Sequence, residues 1–153
     1  MNEIPLNPLG KKDIHQLESL LLTLTLFRPE VIDTIRTSSE RLTWVDSLAV
    51  AAGSLAREKA KMSVREIAEE LGRTEETVRK HLKGETKAGK LINETYEMLK
   101  KYVKEGKTEE ILFALFSERA KETEERIKQL EKENEELKAK LRKIKQELEG
   151  LNL

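Results

Sequence analysis

The sequence predicts an all-α fold: a helical domain containing a helix-turn-helix, followed by a long C-terminal coiled-coil helix. Three observations predict it. Apolar residues recur at spacings of three and four through most of the chain. Serine or threonine stands at capping distance ahead of several of these runs, with glycine just past their ends. From Thr108 onward there is no proline, and no glycine before Gly150. The expected segments are residues 1–39, an N-terminal arm and helices; 40–106, the domain that holds the helix-turn-helix; and 107–153, the C-terminal coiled-coil dimerisation helix.

In chain order, residues 1–10 hold two of the three prolines and read as a loosely held arm. Asp13 to Phe27 places Ile14, Leu17, Leu21 and Leu24 on one helical face. Leu20, Leu22, Leu24 and Leu26 also alternate as a strand would, and helix is chosen. Pro29 suits the first turn of a short helix to about Thr37, with Val31, Ile32 and Ile35 inward. Thr37 and Glu40 have capping-box spacing ahead of Leu42, Trp44, Val45, Leu48, Val50, Ala51, Ala52, Leu55 and Ala56, the apolar face of a central helix ending near Lys61. Trp44 reads as core rather than as a binding aromatic, because burying it removes so much area from water. Ser63 and Glu66 form a second capping box, before Val64, Ile67, Ala68 and Leu71. Gly72 closes that helix, Thr74 caps the next one to about Lys83, and Gly84 stops it. Lys87 to Lys104 repeats the pattern with Leu91, Ile92, Thr95, Tyr96, Leu99 and Val103, and Gly106 closes it. No hairpin follows, which disfavours a winged variant.

Composition narrows the class. With 153 residues, 38% of them charged, 4% aromatic and none cysteine, the chain has room for one compact domain plus an extended element. Disulfides, thiolate metal sites and cysteine nucleophiles are excluded. No apolar run approaches membrane-spanning length, so the expectation is a cytoplasmic protein with no membrane partner. Abundant Glu and Lys without Cys is a bias of thermophile proteins that a coiled coil also produces. Net charge is zero, but it is unevenly spread. Residues 1–56 carry 5 basic and 7 acidic side chains (−2), residues 57–104 carry 13 and 9 (+4), and residues 105–153 carry 11 and 13 (−2). The distribution, rather than the total, decides where a polyanion docks.

A helix-turn-helix needs a small residue at the helix crossing, a turn glycine able to take positive φ, and an aliphatic residue inside the second helix. Ala68, Gly72 and Val78 supply them. The stretch SVREIAEELGRTEETVRKHLK (Ser63–Lys83), taken with TKAGKLINETYEMLK and the C-terminal coil, resembles a family of predicted archaeal helix-turn-helix transcriptional regulators, over residues 40–104. The resemblance implies that the second helix enters the major groove of double-stranded DNA, and that the transcription machinery is a further partner. Outward positions Thr74, Glu75, Glu76, Arg79, Lys80 and Lys83 then face DNA. Arg79 suits guanine O6 and N7, Lys80, Lys83, Lys87 and Lys90 suit phosphates, and Arg65 and Arg73 flank the turn. Each has a plainer reading: Glu75 and Glu76 as acids favouring the helix dipole, any single lysine as a solvated surface residue, and His81 as either DNA-facing or packed at the helix edge.

Catalysis and cofactors find no footing. GETKAGK (Gly84–Lys90) matches the start of a phosphate-binding loop, but a polar helix precedes it and Leu91 occupies the hydroxyl position. His81 and Glu85 alone make no metal site, and no nucleophile, base and orienting group occur together, so neither enzyme activity nor a metal or cofactor is expected.

In the C-terminal helix, Ile127, Asn134, Leu141 and Leu148 take heptad position a, and Leu130, Leu137, Ile144 and Leu151 take position d. A single Asn at a finds its partner in a parallel, in-register pair. Arg126–Glu131 and Glu133–Lys138 contacts between chains agree, and Lys140–Lys145 opposes. An intramolecular, antiparallel or four-helix arrangement is the alternative. Upstream, Ile111, Leu112, Phe113, Leu115 and Phe116 form a separate apolar cluster expected to dock on a globular domain. The function expected is therefore a homodimeric regulator binding specific DNA sequences. The competing class is a coiled-coil scaffold whose helix-turn-helix binds protein.

Overall fold

The computed structural model describes residues 3–151. Seven helices occur among the described residues, and no strand: α1 (Lys11–Leu26), α2 (Pro29–Thr37), α3 (Arg41–Lys59), α4 (Val64–Leu71), α5 (Glu75–Leu82), α6 (Lys87–Lys104) and α7 (Glu110–Leu151). The fold is all-α and ends in a long helix. It divides into two units, Met1–Leu112 and Phe113–Leu153, so the boundary falls after Leu112 rather than at Gly106.

In the first unit α3 is the central helix, packed against α1, α4, α5 and α6. Residues Val50–Arg57 are buried on every side of it, as expected of a helix ringed by others. Helix wins over strand in α1 because Ile14, Leu17, Leu21, Leu24 and Thr25 share one buried face, turned toward α3 and α6. Thr95 of α6 donates to the Leu91 carbonyl at 2.9 Å, which leaves Thr25 to donate to Thr95 at 2.7 Å, so this buried polar pair is satisfied.

Arg57 knits three helices. Only 6% exposed, its guanidinium donates to Glu70 of α4 at 2.8 Å, to Glu18 of α1 at 3.2 Å and to the Gly53 carbonyl at 3.0 Å. A buried cation is tolerable only when its donors are engaged in this way.

Three local expectations are corrected. The arm is held rather than loose: Tyr96 of α6 donates to the Leu6 carbonyl at 3.1 Å, and Pro8 is buried. The Thr37–Glu40 capping box does not form. Thr37 donates back to the Asp33 carbonyl at 2.8 Å, and Glu40 caps α3 with no side-chain hydrogen bond. Leu42, assigned to the apolar face of α3, is 86% exposed, and Trp44 is half-buried in a surface pocket instead of in the core. Both lie in the first turn of α3, ahead of the fully buried stretch of that helix.

Candidate functional site

The basic middle segment is built on α4 and α5. Ser63 accepts a hydrogen bond from Glu66 N while Glu66 accepts from Ser63 N at 2.7 Å, a complete capping box whose hydrogen bonds hold the Glu66 carboxyl below its ordinary range. At the other end Gly72 adopts φ 62°, the left-handed conformation that ends a helix. Arg73 N then reaches the Ala68 carbonyl at 3.0 Å, and Gly72 N the Glu69 carbonyl at 3.4 Å, which satisfies carbonyls the helix leaves open. Two residues later Thr74 caps α5 by accepting from Thr77 N at 3.1 Å. Ile67, Ala68 and Val78 form a buried cluster between the helices, flanked by Met62, Val64, Leu71 and Leu82. The turn is thereby fixed from three sides: cap, glycine and core.

With Val78 turned inward at 0% exposure, the helical repeat turns Glu76, Arg79, Lys80 and Lys83 outward. These cations are not bare. Arg79 donates to Glu75 at 2.7 Å, Lys80 pairs with Glu76 at 2.8 Å, and Lys83 lies 3.9 Å from Glu85. The Lys80 partnership, through its hydrogen bond first and charge second, holds Glu76 below and Lys80 above their ordinary ranges. Arg65 donates to Glu69 at 3.1 Å. Arg73 forks onto Asp46 of α3 at 3.0 and 3.1 Å, so it ties the turn to the central helix. Thr74 spends its hydroxyl on the cap.

His81 is packed, not outward: it is 7% exposed, and its Nδ1 shares a 2.7 Å hydrogen bond with Thr86, the residue capping α6. Burial lowers its pKa. Lys90 is exposed on α6. Lys87 is also exposed, with its Nζ 5.0 Å from the centroid of the Trp44 ring. Sequence reasoning missed three partners here: Asp46 for Arg73, Thr86 for His81 and Trp44 for Lys87. No group of three or more potential metal ligands occurs among the described residues, and no helix there is long and apolar enough to cross a membrane.

The second feature is the stripe along α7. Ile127, Leu130, Leu137, Leu141, Ile144, Leu148 and Leu151 are between 47% and 81% exposed, and Asn134 is exposed among them. Charged residues on the same helix pair internally, as in Lys128–Glu124 at 3.0 Å and Lys138–Glu135 at 3.2 Å. Of the upstream cluster, Ile111 is buried and Phe113 is exposed; the side chains of Leu112, Leu115 and Phe116 lie outside the described residues.

Comparison with known proteins gives one informative match. No family model matches the chain, and no solved structure does. The uncharacterized protein MJ1053 of the archaeon Methanocaldococcus jannaschii is 54% identical over 145 residues, covering 90% of this chain and 89% of the relative. Identity of that degree over nearly the whole of both chains means that this protein belongs to the same family as MJ1053.

Proposed function

We propose that the protein is a sequence-specific, double-stranded-DNA-binding transcriptional regulator that acts as a homodimer. The observation that carries the reading is the α4–α5 unit: two short helices locked by a capping box, a left-handed glycine and a shared apolar cluster, with Arg79, Lys80 and Lys83 on the outward side of the second helix. A helix-turn-helix presents a basic helix to the major groove in this way. The Arg79–Glu75 pair does not forbid contact. An exposed ion pair contributes only about 0–1 kcal/mol, less than the roughly 1–3 kcal/mol of discrimination from a bidentate arginine on guanine.

The exposed stripe of α7 supports the dimer. Seven aliphatic side chains, which with Asn134 run at alternating spacings of three and four, are costly to leave in water, and a second α7 would cover them. Asn134 within the stripe favours a parallel pair, in which both α4–α5 units are attached at the same end of the coil.

The test is duplex binding by the full chain, measured by fluorescence anisotropy from low to physiological salt after selecting bound sites from random DNA. We expect affinity to fall steeply with salt. Arg79→Ala should cost roughly 1–3 kcal/mol and relax preference at one base position, whereas Lys83→Ala should weaken binding to all sequences alike. Absence of duplex binding at low salt, from protein shown to be folded, would overturn the proposal in favour of a scaffold whose helix-turn-helix binds protein.

A further inference from the structure

The chain's single tryptophan stands in the wall of a pocket of about 390 Å³ between the first turn of α3, the end of α5 and the start of α6. Ligand pockets begin at about 300 Å³, so the volume suits a small molecule. Trp44 and Ala88 give it an apolar surface. Its charges are one carboxylate, Glu40, and one ammonium, Lys87. His81 adds no charge near neutral pH, because burial lowers its pKa.

Those two charges stand out for what they do not do. On the neighbouring helices opposite charges meet at close range, as in Arg79–Glu75 at 2.7 Å and Arg73–Asp46 at 3.0 Å. Among the described residues neither Glu40 nor Lys87 enters a salt bridge. Lys87 instead rests over the Trp44 ring, and the Glu40 carboxylate makes no hydrogen bond to the helix it caps. The pocket thus holds a carboxylate and an ammonium that are not paired with each other, the ammonium lying over the Trp44 ring. Next to Lys87, Thr86 takes the Gly89 amide, while the amides of Lys87 and Ala88, in the first turn of α6, have no carbonyl one turn back to bond.

We propose that this pocket binds a free α-amino acid with an apolar side chain. Its carboxylate meets Lys87 and the first amides of α6, its ammonium meets Glu40, and its side chain lies on Trp44. A simple carboxylic acid of the same size would be repelled by Glu40 and a simple amine by Lys87, so only a ligand carrying both charges matches both groups. The site stands independently of DNA binding, and its test contains no DNA.

Because Trp44 is the only tryptophan, its emission reports on this pocket alone. The full-length protein is titrated with each non-aromatic, apolar L-amino acid up to about 10 mM, above the roughly 1 mM dissociation constant of a weak site. Phenylalanine is added by thermal shift. Isovalerate, isoamylamine and adenosine serve as controls. We expect a saturable emission change with at least one amino acid and none with the controls. Affinity should fall at least about ten-fold in both Glu40→Gln and Lys87→Met, substitutions at exposed positions whose folding is checked by circular dichroism. The proposal is overturned if no amino acid titrates, if isovalerate, isoamylamine or adenosine binds as well, or if folded variants bind as tightly as the original.

Discussion

A methyl group added at Gly89 would run into the backbone of His81, meeting its Cα at 2.8 Å. The glycine that makes GETKAGK look like a phosphate loop is there because α6 crosses the end of α5 at backbone contact. That role was not legible in the sequence, since it depends on how two helices meet. The same is true of Trp44: helical spacing puts it on an apolar face, but only the packed structure shows that it lines a surface pocket with α5 and α6 instead of entering the core. Gly72 and the caps Ser63 and Thr74 were legible because each acts on a backbone no more than a few residues away. His81 allows a prediction at this scale. Burial holds its folded pKa below the ordinary 6.5 while the unfolded chain keeps the ordinary value, so the folded form takes up its proton at lower pH. The stability contributed by neutral His81 is present above pH 6.5 and is lost as pH falls through the folded pKa. In a His15→Gln background, the loss of Tm between pH 7.5 and 5.5 should be smaller in His81→Asn than in its parent. An equal or larger loss in the variant would show that His81 is not the group responsible.

At the scale of the element, all seven helices follow from apolar spacing, and the errors sit at ends where alternatives compete. Thr37 illustrates the competition. Its hydroxyl has a carbonyl one turn back in its own helix, and it bonds there instead of capping the next one. The α7 stripe was legible as a stripe because a heptad pattern needs no tertiary contact to be seen. Asn134 sits among its aliphatic neighbours, and in the proposed dimer it would be the one polar group in the seam. Asn134→Leu should then raise the thermal midpoint seen by circular dichroism, while sedimentation equilibrium shows species larger than a dimer. A lower midpoint with unchanged mass would mean that position 134 is not in a buried seam.

For the molecule as a whole, the break after Leu112 sets the length of a usable fragment. Ending at residue 104 would discard Ile111, which is 3% exposed, whereas residues 1–112 keep the buried apolar side chains of the unit found among the described residues. That fragment should fold and sediment as a monomer, and on the proposed reading it should bind a palindromic site about 10²-fold more weakly than the whole chain, because it loses the linkage between half-site contacts. A fragment that is itself a tight dimer with full affinity would move the dimer contact into the first unit. Gly106 ends a helix, and the compact unit extends six residues beyond it.

If the protein binds DNA as proposed, the ion pairs along α5 would have a consequence for its movement along the duplex. A regulator must pass over a vast excess of wrong sites, and a surface of bare cations clings to every phosphate it meets. Here Arg79 and Lys80 arrive already holding Glu75 and Glu76, in a chain whose charges sum to zero. On the proposed reading, random sequence would reward the opening of those pairs less than a matching sequence does, so residence on it would be briefer. The acids that look out of place on a DNA-facing helix would then act as a brake on loitering, and shorten the search.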